Sequence, residues 1–230
     1  MADGQGVTET FQIGSIVLEI PRACLGPGVR RALRSGRYER AEARAMNTHI
    51  RGDDRVLDLG AGAGFICTLA AERVGAENVL GLEANPDMAA AAQANLARNG
   101  YAAGRVLHGA IVGSGETARE VAFQKGQGFW SGHVVSGAAA GDGACRVPAF
   151  RLGAFLTKHQ PTLVIIDLEG GEAALIGEAW PDCTRSVILE LHAGRYGGAT
   201  IREIFRWFFA EGFSYAPEGS RGQLVVFQRT

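Results

Sequence analysis

From Glu9 to Pro21 apolar and polar residues alternate around Gly14, the period-two signature of a short hairpin. Val29–Leu33 and Tyr38–Ile50 then read as two helices separated by Ser35-Gly36. The second is charged along one face and stops at the turn Gly52-Asp53-Asp54. Beyond that turn the pattern changes. Arg55–Leu59 is a short apolar run leading directly into Gly60-Ala61-Gly62-Ala63-Gly64, and Phe65–Val74 follows as a buried helix. Val79–Glu83 reads as the next strand. After it, Asn85-Pro86-Asp87 marks a helix start, with a capping amide, a proline preset for the first turn and an acid at the positive end. That alanine-rich helix closes at Asn99-Gly100. Apolar runs at Arg105–Val112, Thr162–Leu168, Ser186–Leu191 and Gln223–Gln228 predict further strands, and Thr200–Glu211 an amphipathic helix. Nearly continuous apolar strands alternating with helices belong to parallel sheets covered on both faces.

The weakest pattern runs from Gly113 to Val147, where a strand is expected at Val121–Gln124 and a loop around Gly126–Gly143. Loops this long in a compact domain usually serve as lids or binding elements. Within it, Trp130 and Ser131 either line an acceptor site or pack back onto the domain.

With 47% hydrophobic and 20% charged residues, the 230-residue chain has enough apolar surface for a sizeable core. Its net charge of −1 gives no global field toward nucleic acid or an anionic membrane, so neither is expected as a partner. The basic residues Arg30, Arg31, Arg34, Arg37 and Arg40 are read as a solvated helix face. Cys24, Cys67, Cys145 and Cys183 are too scattered for a disulfide framework or a zinc site. No apolar run approaches the roughly 18 residues of a membrane span. Residues 1–10 lack the basic and apolar regions of a secretion signal, so a cytoplasmic location is expected.

The chemistry concentrates in Val-Leu-Asp-Leu-Gly-Ala-Gly-Ala-Gly, Val56–Gly64, with Glu83 at the end of the next strand. Glycines let a backbone turn tightly and approach a ligand closely, and the following helix opens with free N–H groups. A carboxylate at the second strand tip can accept both hydroxyls of a ribose. A dinucleotide loop requires a third small residue where this chain has Phe65. Asp58, two residues before the first glycine, suits a zwitterionic amino-acid tail better than a pyrophosphate.

The Asp-x-Gly-x-Gly-x-Gly pattern resembles motif I of class I S-adenosylmethionine methyltransferases, with Glu83 matching their ribose-binding acid. Asp167-Leu168-Glu169-Gly170-Gly171-Glu172 resembles the Asp-x-Glu-Gly-x-Glu signature of the FkbM methyltransferases. Gly36-Arg37-Tyr38-Glu39 with Glu42 is similar to that family's Gly-x-Tyr-Glu-x-x-Glu segment, and Val187–His192 to its later strand ending in Glu-x-His. The resemblance runs from about Gly14 to the end and is blank over Gly113–Val147. It implies S-adenosylmethionine-dependent methylation, commonly of a sugar or natural-product hydroxyl, so a small-molecule hydroxyl acceptor is expected. The fold expected is α/β, a Rossmann-like seven-stranded mixed sheet with the last strand antiparallel and helices on both faces. An N-terminal hairpin-helix cap would occupy residues 1–52 and the cofactor-binding domain 53–230. Rivals are a nicotinamide-dependent oxidoreductase and a non-catalytic protein that keeps the fold.

Candidate cofactor contacts are Tyr38, Glu39, Asp58, Gly60, Ala61, Gly62, Glu83, Ala84, Ala110 and Asp167, with Gly109-Ala110 approaching the adenine. Tyr38 and Glu39 either close over the methionyl end or simply start a surface helix. Candidate catalytic groups are His192, Asp167 and Glu169. An alcohol acceptor has a high pKa and gains from a general base, and His192 just past an apolar strand is the candidate, an ordinary rim histidine the alternative. Asp167, Glu169 and Glu172 serve as base or acceptor ligands, as a Mg²⁺ site, or as structural caps and ion pairs. Hard oxygen ligands would suit Mg²⁺, but no further ligands are evident and no metal is assigned. His108 and His133 receive no role.

Overall fold

A computed structural model of the chain describes residues 7–126, 128–129, 132–135 and 144–230. Trp130 and Ser131 lie outside the described residues, as does part of the Gly126–Gly143 loop.

The chain opens with an antiparallel hairpin, β1 (Thr8–Ile13) and β2 (Ile16–Pro21), turning at Gly14. Helices α1 (Pro27–Arg34) and α2 (Arg40–His49) follow. The central sheet then begins with β3 (Val56–Leu59), helix α3 (Phe65–Val74), β4 (Val79–Glu83), α4 (Pro86–Arg98) and β5 (Arg105–His108). A second, four-stranded sheet is built from β6 (Ala110–Val112), β7 (Glu120–Gln124), β8 (His133–Val135) and β9 (Ala144–Arg151), in the order β6-β9-β7-β8. Helix α5 (Leu152–His159) leads back to β10 (Leu163–Ile166) and β11 (Ser186–Glu190), with a 3₁₀ turn at Gly171–Leu175 between them. Helix α6 (Ala193–Ala210), β12 (Phe213–Arg221) and β13 (Leu224–Arg229) complete the chain. The central sheet has seven strands in the order β12-β13-β11-β10-β3-β4-β5, and only β13 runs against its neighbours.

Alternation along the strands explains why their apolar runs are unbroken. Val56, Leu163, Ile165, Ile188 and Val226 feed one core, under the hairpin and α2–α4. Leu57, Val164, Ile166, Val187, Leu189 and Phe227 feed the other, under α5 and α6. Successive side chains point to opposite faces, so a strand buried on both must be apolar throughout. The N-terminal segment is part of the first core: Leu18, Ile20, Val29, Leu33 and Met46 pack in one cluster with Ile66 and Met88. Two asparagines, Asn95 within α4 and Asn99 capping its end, also hold the hairpin edge. Asn95 accepts from the Glu19 N–H at 2.8 Å, and Asn99 accepts from the Val17 N–H at 2.9 Å and donates to its carbonyl at 2.8 Å. These side chains occupy backbone groups that an edge strand otherwise leaves open.

The structure departs from the sequence expectation at several elements: β8 lies inside the expected Gly126–Gly143 loop, and β9 and α5 have no counterpart among the expected elements. The single strand expected over Arg105–Val112 breaks at Gly109, where a Cβ would meet the Phe150 ring at 2.5 Å and the Pro148 carbonyl oxygen at 2.7 Å. This close approach sends β6 into the smaller sheet, parallel to β9. The helix expected from Thr200 starts at Ala193 and kinks at Gly197 (φ 64°, ψ 176°). The seventh strand, β12, is the sheet edge; few of its residues are buried, so no apolar period announces it.

Candidate functional site

A cavity of about 740 Å³ opens at the carboxyl ends of β3, β4, β10 and β11, the rim where open α/β sheets bind ligands. Its floor is the glycine loop. Gly60 has φ +94°, and a Cβ there would lie 1.8 Å from the Asp167 carbonyl oxygen. The loop therefore presses against the end of β10. Gly62 (φ +50°) donates its N–H to Glu83 Oε2 at 2.9 Å, and the other Glu83 oxygen accepts from Asn85 N–H at 2.7 Å. Glu83 is thus held at the β4 tip within the cavity wall by two backbone donors. Gly64 lets α3 start against α4, where a Cβ would sit 3.0 Å from the Ala92 backbone. Phe65, at the position a dinucleotide loop reserves for a small residue, is buried and packs on Tyr38 with ring centroids 6.0 Å apart.

The cap supplies the facing wall. Tyr38 is buried above the loop, its hydroxyl oxygen accepting from Ala63 N–H at 3.3 Å and its ring meeting Phe129 edge-on at 5.8 Å. Glu39 sits in the left-handed region (φ 47°), and its Oε2 is sealed from solvent with no hydrogen-bond partner. Strained residues that keep a buried oxygen without a hydrogen-bond partner gather at functional sites. Ala84 and Ala110 also line the cavity, with Glu42 and Glu190. Asp58 and Ala61 do not. Asp58 lies beneath the loop and accepts a hydrogen bond from the Cys67 thiol at 3.2 Å, while Ala61 faces Gly81 of β4.

The opposite end holds the acids of the second motif. His192 Nδ1 lies 3.0 Å from Glu172 Oε1, an oxygen that also accepts from Leu168 N–H at 2.9 Å. Glu172 is fully buried in the 3₁₀ turn and oriented by that backbone donor, so it sets the imidazole plane. His192 Nε2 then faces Asp167 Oδ1 at 3.5 Å and Glu169 Oε2 at 3.6 Å. Tyr196 Oη accepts from the His192 N–H at 2.7 Å. Asp167, Glu190 and His192 each present a ligand atom within 4.8 Å of the others. This trio is the group best disposed for a cation among the described residues. Glu190, the glutamate of the Glu-x-His segment, and Glu42, the last of the Gly-x-Tyr-Glu-x-x-Glu segment, line the cavity although neither is among the candidate site residues. The signal for Glu190 was present, since positions 190 and 192 alternate to the same side of an extended chain end.

The electrostatics of the cavity are acidic. Burial pushes Glu83 up to about 7 against the backbone donors of Asn85 and Gly62. Burial likewise raises Asp58 to about 6, the Cys67 hydrogen bond opposing it. Glu39 is driven well above the usual carboxylate range, by burial first and by the Asp58 charge second. Glu190 is pushed up to about 7 by burial and by neighbouring Glu42. Burial disfavours the His192 cation, but Glu172, Asp167 and Glu169 outweigh it and raise its pKa to about 9. These floor and wall carboxylates are short of positive charge. A ligand with an ammonium and a sulfonium supplies what they lack, and Gly60, Gly62, Ala84 and Ala110 put small residues on the cavity wall beside Glu83. The residues present therefore fit S-adenosylmethionine.

A glycine-loop α/β sheet with a buried acid at the second strand tip and a carboxylate-rich cavity at its carboxyl edge defines the class. Residues 58–215 match the model of the methyltransferase FkbM domain. The chain belongs to the FkbM family of S-adenosylmethionine-dependent methyltransferases. It is 38% identical over 95 residues to the ribosomal protein L11 methyltransferase of Thermus thermophilus, covering 40% of this chain and 35% of that protein. It is 49% identical over 47 residues to the arsenite methyltransferase of Halobacterium salinarum, covering 20% of this chain and 12% of that protein. Both matches span well under two thirds of the relative's own length. Among solved structures, precorrin-6y C5,15-methyltransferase from Geobacter metallireducens aligns over 93% of this chain and 94% of that one, with a TM-score of 0.48 and 11% identity. No helix among the described residues is long and apolar enough to cross a membrane.

Proposed function

We propose that this protein transfers the methyl group of S-adenosylmethionine to a hydroxyl oxygen of a sugar or other small natural product. The observation that carries the cofactor half is Glu39, whose sealed, unpartnered oxygen lies in the wall of a cavity that also holds Glu42, Glu83, Asp167 and Glu190. S-adenosylmethionine, when bound, supplies an electrophilic methyl group on a sulfonium sulfur. Glu83 would accept the ribose hydroxyls with the lone pairs its backbone donors leave free, and Glu39 would pair with the ammonium. Gly60 and Gly62 keep the floor low, while Ala84 and Ala110 leave room for the adenine. Asp58 and Ala61 act from beneath, the first by its charge and the second by seating the loop on β4.

The oxygen half rests on the His192 cluster. Methyl transfer is mostly a matter of alignment, and a hydroxyl also has a proton to lose. Glu172 fixes the imidazole so that Nε2 faces the cavity, and His192 would take the hydroxyl proton as the carbon–oxygen bond forms and the methyl–sulfur bond breaks, its electron pair leaving with S-adenosylhomocysteine. Asp167 and Glu169 hold the resulting imidazolium and orient the acceptor. The acceptor class does not carry over from the relatives, which are named for chemically unlike targets, a ribosomal protein and arsenite.

Incubation with methyl-labelled S-adenosylmethionine and a panel of hydroxyl and amine acceptors tests this reading. Label on oxygen is expected. Label on nitrogen alone would remove the hydroxyl assignment. A folded chain that binds neither the donor nor S-adenosylhomocysteine would remove the enzyme reading altogether.

A further inference from the structure

A second groove, about 660 Å³, opens beside the cofactor cavity, and Arg37, Arg40 and Ala41 belong to the walls of both. Its other charged residues are Arg44, Arg221 and Glu218. Arg40 and Arg44 are one helical turn apart on the exposed side of α2, while Ala45, Met46 and His49 face the core. Across the groove runs the irregular end of β12, where pairing with β13 shifts between Ala216 and Arg221. None of the four arginines has a carboxylate partner among the described residues, so their guanidinium charge is left uncompensated along this one groove.

The groove is held in shape from below. His49, buried on α2, lies 2.8 Å from the Glu218 carbonyl oxygen through Nε2 and 2.9 Å from Gln228 Nε2 through Nδ1. A carbonyl can only accept, so Nε2 carries the proton and Nδ1 accepts from the amide. Gly219 (φ +84°) makes this approach feasible, since a Cβ there would lie 2.9 Å from His49 Nε2. The bulged strand end is thereby clamped to α2, and Arg221 is brought to the same groove as the three α2-side arginines.

We propose that this groove binds a phosphate-bearing end of the methyl acceptor, so that the substrate class is a phosphorylated or diphosphate-linked small molecule. The inference rests on the methyltransferase reading above and adds the acceptor's charge. Guanidinium groups bind phosphate oxygens in paired hydrogen bonds, and several converging on one groove suit a multiply charged group better than a lone carboxylate. The charge layout fits: the deep cavity is acidic and attracts the sulfonium donor, whereas its mouth is basic and attracts an anion. A nucleic acid fits less well, because among the described residues the groove has no aromatic side chain on which a base could stack, and the chain as a whole carries −1.

Calorimetric titration of inorganic pyrophosphate into the protein saturated with S-adenosylhomocysteine tests the proposal. Saturable, salt-sensitive binding is expected. The double variant Arg44→Gln/Arg221→Gln should weaken it at least tenfold while binding S-adenosylhomocysteine like the parent. Equal pyrophosphate affinity in parent and variant, or no saturable binding to the parent, would overturn the groove assignment while leaving the cofactor site standing. A short single-stranded RNA that binds more tightly than pyrophosphate through the same two arginines would overturn the small-molecule class. Loss of S-adenosylhomocysteine binding by the parent would instead count against the methyltransferase reading itself.

Discussion

His192 Nδ1 and Glu172 Oε1 lie 3.0 Å apart, and that contact decides which imidazole nitrogen meets the cavity. Glu172 comes from the turn after β10 and His192 from the end of β11, so adjacent strand ends bring them together. The carboxylate both orients the ring and raises its affinity for a proton, as second partners do for histidines in many sites.

A base must be unprotonated to act, so the rate should rise with pH until His192, with a pKa of about 9, has lost its proton. Glu172→Gln removes the largest stabilising charge and should move this rise to lower pH. His192→Ala should lower turnover by roughly 10²–10⁴-fold, the range of a positioned base, and erase the rise. The measurement is kcat against pH for the three proteins, with S-adenosylhomocysteine affinity as a control. An unchanged profile in both variants would end the base assignment.

Glu83→Ala should weaken cofactor binding roughly ten- to hundredfold, the equivalent of losing hydrogen bonds to a charged group. The same change also strands the Gly62 and Asn85 N–H groups, so melting temperature must be followed beside calorimetry. Glu83→Gln should preserve more of the fold than of the binding. Parent-like affinity in both variants would detach Glu83 from the ribose.

Raised carboxylate pKa values make the cofactor-free protein pH-sensitive in a defined direction. Glu83 and Asp58 hold protons more tightly folded than unfolded, with folded values of about 7 and about 6. Their contribution to stability is therefore complete below the ordinary carboxylate range and is lost as pH rises through those values. A cationic ligand favours the ionised forms, so S-adenosylmethionine affinity should increase over the same interval with release of protons. Calorimetry in buffers of different ionisation enthalpy reads the proton count, and a pH-independent affinity would contradict it.

Gly60→Ala should be among the most damaging single substitutions, because its Cβ would lie 1.8 Å from a backbone oxygen and its φ of +94° is strained for any side chain. Backbone against backbone has no soft partner to move. The expected result is a loss of several kcal/mol, on the scale of severe strain and overpacking, seen as a lowered denaturant midpoint. A parent-like midpoint would mean the loop is free to shift.

Asp54 anchors a different network. Its carboxylate is buried, pairs with Arg185, accepts from Arg51 N–H at 2.6 Å and from the Thr162 hydroxyl at 2.7 Å. Arg185 also reaches the His49 carbonyl at 2.6 Å. Asp54→Ala leaves that guanidinium without its carboxylate, and about 3–5 kcal/mol of destabilisation is expected from urea denaturation. In sequence Asp54 is merely one residue of a turn, and nothing local marks its partner 131 positions away.

The glycine loop, the capped start of α4 and the two-faced strands were legible in the sequence because each depends on neighbours a few residues away. A left-handed φ calls for glycine, a free helix end calls for an amide cap, and burial on both faces calls for an unbroken apolar run. Tertiary structure alone decided that Asp58 points beneath the loop to Cys67, that Asp167 meets the neighbouring Glu190 and His192, and that Arg221 lines the same groove as Arg44. Those meetings depend on strand order, on the break at Gly109 and on the His49 clamp. Parallel crossovers carry side chains past one another over long stretches of chain, and no local residue pattern records where they arrive.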